Sequence, residues 1–499
     1  MRTPSSKKAI AAAGKFKPKS ERVLPLSVLP LLSAIPELNT AGLQLLRIPA
    51  EVDVPVTPRV LQVLDTPAMQ RLRRISQLGL VSYVYPGAVH TRFEHSLGVY
   101  RLACLTIRHL LANEEALAAN TTVDDVKVFL LAALLHDIGH WPYCHAIEDL
   151  RLAEFPRHEE LARTLICGSP MAAVIEREWS VEPAQVAELI ASTRAADADS
   201  SVLRSLLSGP VDIDKLDYLQ RDSLHAGVPY GRNFDVNRLV SSLCVAQDGK
   251  SLAITEKGKT AAEMMVFARY VMFSEVYWHH TVRSATAMLQ RLVYDLRDTL
   301  PSQQWLCLTE NDFGNRLLAN ASNQPAAQQL ADGLFGHQRG LYKRLAQYTL
   351  SDAPHVFAAV ARRPYAELVE LSGRLAQQLS LHLSRPLAAH DVLIDAPPVK
   401  LEVQFNIDVR QAARHTASDV SSGTRAEFRR TPSEAVANDS AHYVQLSHIS
   451  PVVRALATEQ FDNFVKRVRI FVAPERAYEL SLTPDRVTQA LLSVTADVL

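Results

Sequence analysis

The densest run of chemistry-bearing residues in this chain is His136-Asp137-Ile138-Gly139-His140-Trp141-Pro142-Tyr143-Cys144-His145. On a helix, His136 and His140 share a face and Asp137 lies about 100° around from His136. An imidazole and a carboxylate can then reach one cation beside that turn. Pro142 ends the helix, and the next segment can return His145 toward the same pocket. A His-Asp pair closing an apolar helix is costly unless satisfied. A cation satisfies it, and so do plain hydrogen bonds at a helix end.

Two other segments favour a site. Arg92-Phe93-Glu94-His95-Ser96-Leu97-Gly98-Val99 adds a histidine at a helix start. Residues 211–222 concentrate carboxylates, a lysine and a tyrosine, and in a helix Asp214, Asp217 or Tyr218, and Arg221 share a face. Alone, that cluster reads equally as a salt-bridged surface. Together, His95, His136, Asp137 and Asp214 offer two imidazoles and two carboxylates. Such mixed ligands suit Mn, Fe, Co, Ni or Zn, with Mg a further candidate, better than the all-oxygen shell of Ca. His279 and His280 are adjacent and point apart on a helix, so they form no metal pair.

The elements that must position these groups are mainly helical from about Leu43 to Leu383. Residues 123–135 are almost wholly apolar after Asp125 and Lys127, as a buried core helix requires, and Thr121, Thr122, Asp124 and Asp125 supply its cap. Residues 259–300 contain no Pro or Gly and keep helical periodicity. Just before them, residues 243–254 read as a small hairpin about Asp248-Gly249. The character changes near Pro386. Val399, Leu401, Val403, Phe405, Ile407 and Val409 alternate with polar residues, as a half-buried strand does, with further strands expected at 468–472 and 443–446. Residues 411–440 are poor in large apolar side chains and are expected to form a mobile loop. The predicted fold class is mainly α, a helical bundle core with a small C-terminal α+β appendage. The predicted division is a basic segment at 1–40, a helical domain at 41–385 and the appendage at 386–499. No internal repeat is present.

Composition sets the frame. The chain has 499 residues, 47% hydrophobic and 21% charged, enough for a core that needs no disulfide. Cys104, Cys144, Cys167, Cys244 and Cys307 are odd in number and form no CxxC pair, so they read as reduced packing residues of a cytoplasmic protein. Lys+Arg and Asp+Glu both total 53, so net charge points to neither nucleic acid nor membrane. Residues 1–22 are nonetheless basic against the single acid Glu21, which reads as a solvated tail or a weak contact arm for nucleic acid. Pro25, Pro30 and Pro36 break the apolar run behind it as a signal-peptide core, and a transit peptide stays an alternative. No stretch approaches the ~20 apolar residues that span a bilayer.

At this point the sequence resembles a known family. The order His…His-Asp…Asp is the signature of the HD phosphohydrolases. Gln70-Arg71-Leu72-Arg73-Arg74-Ile75, Gln77-Leu78-Gly79, Tyr85-Pro86-Gly87-Ala88, the 92–99 block and residues 212–222 are similar to the deoxynucleoside triphosphate triphosphohydrolases of that group. The resemblance runs from about residue 59 to 300. It implies that His95, His136, Asp137 and Asp214 hold the metal. It implies catalytic roles for His140, His145 and His158, with His145 the proton donor to the leaving oxygen. It also implies that Arg92, Lys215 and Tyr218 contact the triphosphate, and that Gln77, Leu78, Asp222 and Tyr277 line the deoxyribose. The implied reaction is attack of metal-activated water at the α-phosphorus, releasing deoxynucleoside and inorganic triphosphate. A dNTP substrate and a homo-oligomer are the implied partners.

Read from the residues alone, Tyr277 could equally pack inside a helix, and His158 beside Glu159 and Glu160 could be a surface ion pair. There are two departures from the family. Pro49-Ala50-Glu51-Val52-Asp53-Val54-Pro55 replaces the usual Asp-Pro-x-His-Gly opening, so activation by a bound nucleotide is not implied. Trp141 stands where relatives often carry a small residue, either narrowing the pocket or packing. Two competing functions are an HD enzyme acting on another nucleotide or a nucleic-acid end, and a nucleotide-binding protein with a vestigial site. Every ligand and histidine is present, which argues against decay.

Overall fold

A computed structural model describes residues 29–39, 43–50, 52–191, 201–300, 305–381, 383, 385–397, 406–411, 442–457, 465–481 and 484–496. Residues 1–28 of the expected basic segment at 1–40, most of the strand expected from 399 and residues 412–440 of the loop expected at 411–440 lie outside the described residues.

The architecture is mainly α. Helix α1 (Arg92–Asn113) starts at Thr91, whose hydroxyl accepts the Glu94 N–H. Helix α2 (Val123–Leu135) opens on a reciprocal capping box between Thr122 and Asp125, as its first residues predict, and residues 129–135 are all buried. It ends at Leu135, well before Pro142, so His136 caps the helix and His140 lies in the turn beyond it. Helices α3 (Cys144–Glu148), α4 (His158–Cys167) and α5 (Ile213–Ala226) follow. Asp212 caps α5 by accepting the Lys215 N–H, and Gly227 ends it at φ 71°.

Two glycines permit the close packing that the site needs. A Cβ on Gly98 of α1 would fall 1.9 Å from Asp217 Oδ1, so only glycine lets α5 lie against α1 there. A Cβ on Gly139 would fall 2.0 Å from the carbonyl oxygen of His158, so glycine lets α4 close on the His-Asp turn.

The stretch at 259–300 is not one helix. Helix α6 (Lys259–Met272) passes through a π turn at Phe273–Tyr277, breaks at Trp278 and His279, and resumes as α7 (His280–Leu296). The break is satisfied locally: Arg469 donates to the freed Trp278 carbonyl at 2.9 Å, and the His279 ring accepts the Thr281 N–H.

Strands β1 (Gln44–Ile48) and β2 (Val52–Val56) form an antiparallel hairpin. Strands β3 (Leu243–Val245) and β4 (Leu252–Thr255) are the hairpin expected about Asp248-Gly249. Strand β5 (Lys343–Tyr348) and strand β6 (Val392–Asp395) flank β9 (Val468–Val472) in a second sheet. Strand β7 (Asp408–Gln411) pairs in parallel with β4, and β8 (His442–Gln445) lies antiparallel beyond it. Both sheets join strands from either side of residue 386, so the sequence-based division there runs through them. The reason is non-local pairing: β4 and β5 find their partners in the last fifth of the chain.

One apolar core surrounds α1, α2 and α5, a second surrounds α7, and a third lies on the sheet of β5, β9 and β6. Trp141 is fully buried in the second core, stacked on Phe155 with ring centroids 5.5 Å apart, so it packs and leaves the pocket unnarrowed. Cys104, Cys144 and Cys244 are buried packing thiols, whereas Cys167 and Cys307 are exposed and correct that expectation. Among the described residues, no helix is long and apolar enough to cross a membrane.

Candidate metal centre and its cleft

Three chain segments meet at one point. His95 comes from the first turn of α1, His136 and Asp137 from the end of α2, and Asp214 from the first turn of α5. His95 Nε2 lies 3.2 Å from His136 Nε2, 3.0 Å from Asp214 Oδ1 and 3.9 Å from Asp137 Oδ2. His136 Nε2 lies 3.5 Å from Asp137 Oδ1 and 3.8 Å from Asp214 Oδ1. Ligands held at about 2.1 Å around one cation are spaced at about 3–3.5 Å; His95, His136 and Asp137 form a compact donor group close to that size, with Asp214 beside the two histidines.

The ring orientations sharpen the fit. His136 Nδ1 faces the Ala133 carbonyl at 2.9 Å, an acceptor only, so that nitrogen carries the proton. His95 Nδ1 faces the Asp217 carboxylate at 2.9 Å, with the same consequence. Both Nε2 atoms therefore present lone pairs to each other, which repel unless a cation or a proton lies between them. Backbone and carboxylate partners of this kind orient metal-binding histidines generally. The residues present fit a divalent cation.

The electrostatics agree. Burial alone would push the His95 imidazolium down, but Asp214 and Asp217 outweigh it and raise it to about 10. Burial opposes ionisation of Asp137, yet His140 and the Arg92 guanidinium, 2.7 Å away, hold its carboxyl well below the usual range. Burial, then Arg92, pushes His140 well below the ordinary histidine value, with Asp137 opposing them. The ionised carboxyls of Asp137 and Asp214 thus favour positive charge at this point, which a proton on His95 or a bound cation can supply.

Three more histidines stand beside it. His140 Nδ1 meets Asp137 Oδ1 at 3.1 Å, and its Nε2 lies 3.3 Å from His145 Nε2. His158 lies over His140 with ring centroids 4.0 Å apart. Glu148 takes both the N–H and the Nδ1–H of His158, at 2.7 and 2.9 Å. Burial pushes Glu148 up, but His158 prevails and lowers it to about 2. His145 is the most open of the three, its side chain 62% exposed.

All the residues singled out in the sequence line one cleft of about 540 Å³: His95, His136, Asp137 and Asp214; His140, His145 and His158; and Gln77, Leu78, Arg92, Lys215, Tyr218, Asp222 and Tyr277. The Tyr277 hydroxyl donates to Asp222 at 2.6 Å, so it faces the site instead of packing within its helix. The Lys215 ammonium rests on the Asp212 carboxylate and the Gly209 carbonyl. Sequence reasoning missed the partners Asp217 and Glu148 as orienting groups, and Arg269 and Arg283 in the cleft wall. Glu148 follows His145 by three residues, and Arg269 precedes Tyr277 by about two helical turns. Those spacings were the available signals.

The HD domain model matches residues 92–220, and the model for the HD associated region matches residues 234–422. The uncharacterised protein YwfO of Bacillus subtilis is 36% identical over 235 residues, 46% of this chain and 51% of its own length. The deoxynucleoside triphosphate triphosphohydrolase SAMHD1 of Gallus gallus is 29% identical over 288 residues, 51% of this chain and 46% of its own length. The chain spans about half the length of the curated relatives it matches. A hypothetical protein from Aquifex aeolicus shares the fold at TM-score 0.63 and 24% identity, covering 88% of this chain and 99% of that one. A phosphohydrolase from Bacteroides thetaiotaomicron does so at TM-score 0.60 and 23% identity, covering 86% and 100%. Helical bundle and His…His-Asp…Asp centre together define an HD domain. The chain carries an HD domain followed by an HD associated region, and over about half its length it is similar to the SAMHD1 proteins.

Proposed function

We propose that this cleft hydrolyses deoxynucleoside triphosphates to deoxynucleoside and inorganic triphosphate. The observation that carries the reading is the convergence of His95, His136, Asp137 and Asp214 in the cleft that also holds His140, His145 and His158. Likeness to the SAMHD1 proteins supports the choice of substrate.

His95, His136, Asp137 and Asp214 hold the divalent cation, a transition metal by its mixed nitrogen and oxygen donors. When bound, the cation supplies Lewis-acid activation of the attacking water. Arg92 holds Asp137 and offers positive charge to the phosphoryl oxygens. Lys215 adds charge once its ammonium leaves Asp212, and Tyr218 lines the same wall. His145 gives its proton to the departing 5′ oxygen as the bond from the α-phosphorus breaks, and the water oxygen forms the new bond. Glu148 fixes the ring of His158 beside it. On the sugar side stand Gln77, Leu78, Asp222 and Tyr277. Gln77 Oε1 is buried without a protein partner, an acceptor that a sugar hydroxyl can satisfy.

The test is product analysis. The purified protein with Mn²⁺ is expected to release deoxynucleoside and triphosphate from dNTPs, and to act more slowly on NTPs. Nucleoside monophosphate with pyrophosphate, or nucleoside diphosphate with phosphate, on ion exchange would overturn cleavage between the 5′ oxygen and the α-phosphorus. The same kinship leads us to propose a homo-oligomer, which light scattering checks, and the free cysteines a cytoplasmic location.

A further inference from the structure

Three residues on the sugar side of the cleft lean on one residue behind it. His90 precedes α1, its side chain wholly buried and no part of the cleft lining. Its backbone carbonyl accepts the Gln77 N–H at 2.9 Å. Its Nε2 lies 2.8 Å from Asp222 Oδ1, while Asp222 Oδ2 accepts the Tyr277 hydroxyl at 2.6 Å. Its ring stacks on His225 at 4.4 Å with 15° between planes, and Glu94 holds His225 in turn at 2.9 Å.

We propose that His90 is a positioning residue that sets the preference for 2′-deoxy over ribose nucleotides, by locking Gln77, Asp222 and Tyr277 into one unyielding wall. This rests on the reading that the cleft takes a deoxynucleotide. A soft pocket rejects one added hydroxyl poorly, so discrimination requires a wall that cannot move aside. Asp222, with one oxygen on His90 and the other on Tyr277, cannot turn. Without the His90 donor, its Oδ1 becomes a buried acceptor with a partner lost, and the carboxylate reorients to regain one. Tyr277 then follows Asp222, and space opens beside the sugar.

The experiment compares steady-state kinetics on a dNTP and the matching NTP, with Mn²⁺, for wild type, His90→Phe and His90→Gln. Phe keeps the stack and the volume but not the donor, whereas Gln can place an amide near the Nε2 position. We expect His90→Phe to raise KM for the dNTP about tenfold and to shrink the dNTP/NTP ratio of kcat/KM by a similar factor. Its kcat should stay within about threefold and its metal content unchanged. His90→Gln should restore most of the ratio. A merely structural role would lower kcat and melting temperature together and leave the ratio alone. Should His90→Phe not fold, His90→Asn, too short to reach Asp222, reads the same ratio. A discriminating wild type with an unchanged variant ratio overturns this inference and spares the substrate reading. A wild type that ignores dNTPs, or takes both sugars equally, overturns the substrate reading and this inference with it.

Discussion

Asp217 accepts the Nδ1 proton of His95 at 2.9 Å while both its oxygens grip Arg221, at 2.8 and 2.7 Å. The candidate ligand is therefore aimed by a carboxylate that is itself locked. Burial opposes the charge on Asp217, but Arg221 and His95 lower its pKa far below the usual range, so it stays ionised.

Asp217→Asn keeps the shape and removes that charge. Metal affinity should fall about 10–100-fold, measured by chelator competition. Unchanged affinity would show that His95 needs no orienting partner and would weaken its assignment as a ligand.

His136→Ala with Asp137→Ala removes two of the four donors. Metal content by elemental analysis and dNTP turnover should both vanish while the circular dichroism spectrum persists. Retained turnover would move the chemistry elsewhere.

Gly139→Ala sets a methyl 2.0 Å from the His158 carbonyl oxygen and 2.5 Å from the Ala162 nitrogen. The strain should cost about 1–3 kcal/mol. Because α4 must retreat and take His158 with it, kcat should drop while metal content stays. Equal loss of both would mean that the metal centre also shifted.

Glu148, lowered to about 2 by His158 against the effect of burial, gives an acid-stability test. A depressed carboxyl contributes stability that is fully present above about 4.5 and is lost as pH falls toward 2. The melting-temperature advantage of wild type over Glu148→Gln should shrink across that window. A difference independent of pH would mean that Glu148 acts by packing alone.

Several features are local and could be read along the chain. Thr122 and Asp125 signal the start of α2 because a capping box is made within one helical turn. The hairpin about Asp248-Gly249 follows from turn chemistry, and the strand at 468–472 from its β-branched and aromatic residues Val468, Ile470, Phe471 and Val472. The His95, His136-Asp137 and Asp214 set could be picked out because residue type and order carry the donor chemistry. Tertiary structure decided the rest, since it depends on atoms far apart in sequence. Asp217 aims His95 only because Gly98 lets two helices touch. Tyr277 reaches Asp222 beside a helix break that an arginine from β9 helps satisfy. Trp141 packs because Phe155 lies under it, and β4 and β5 pair with distant strands in a partnership that no local pattern specifies. Propensity and spacing act within a turn or two, whereas burial, facing lone pairs and steric contact exist only once the distant segments have met.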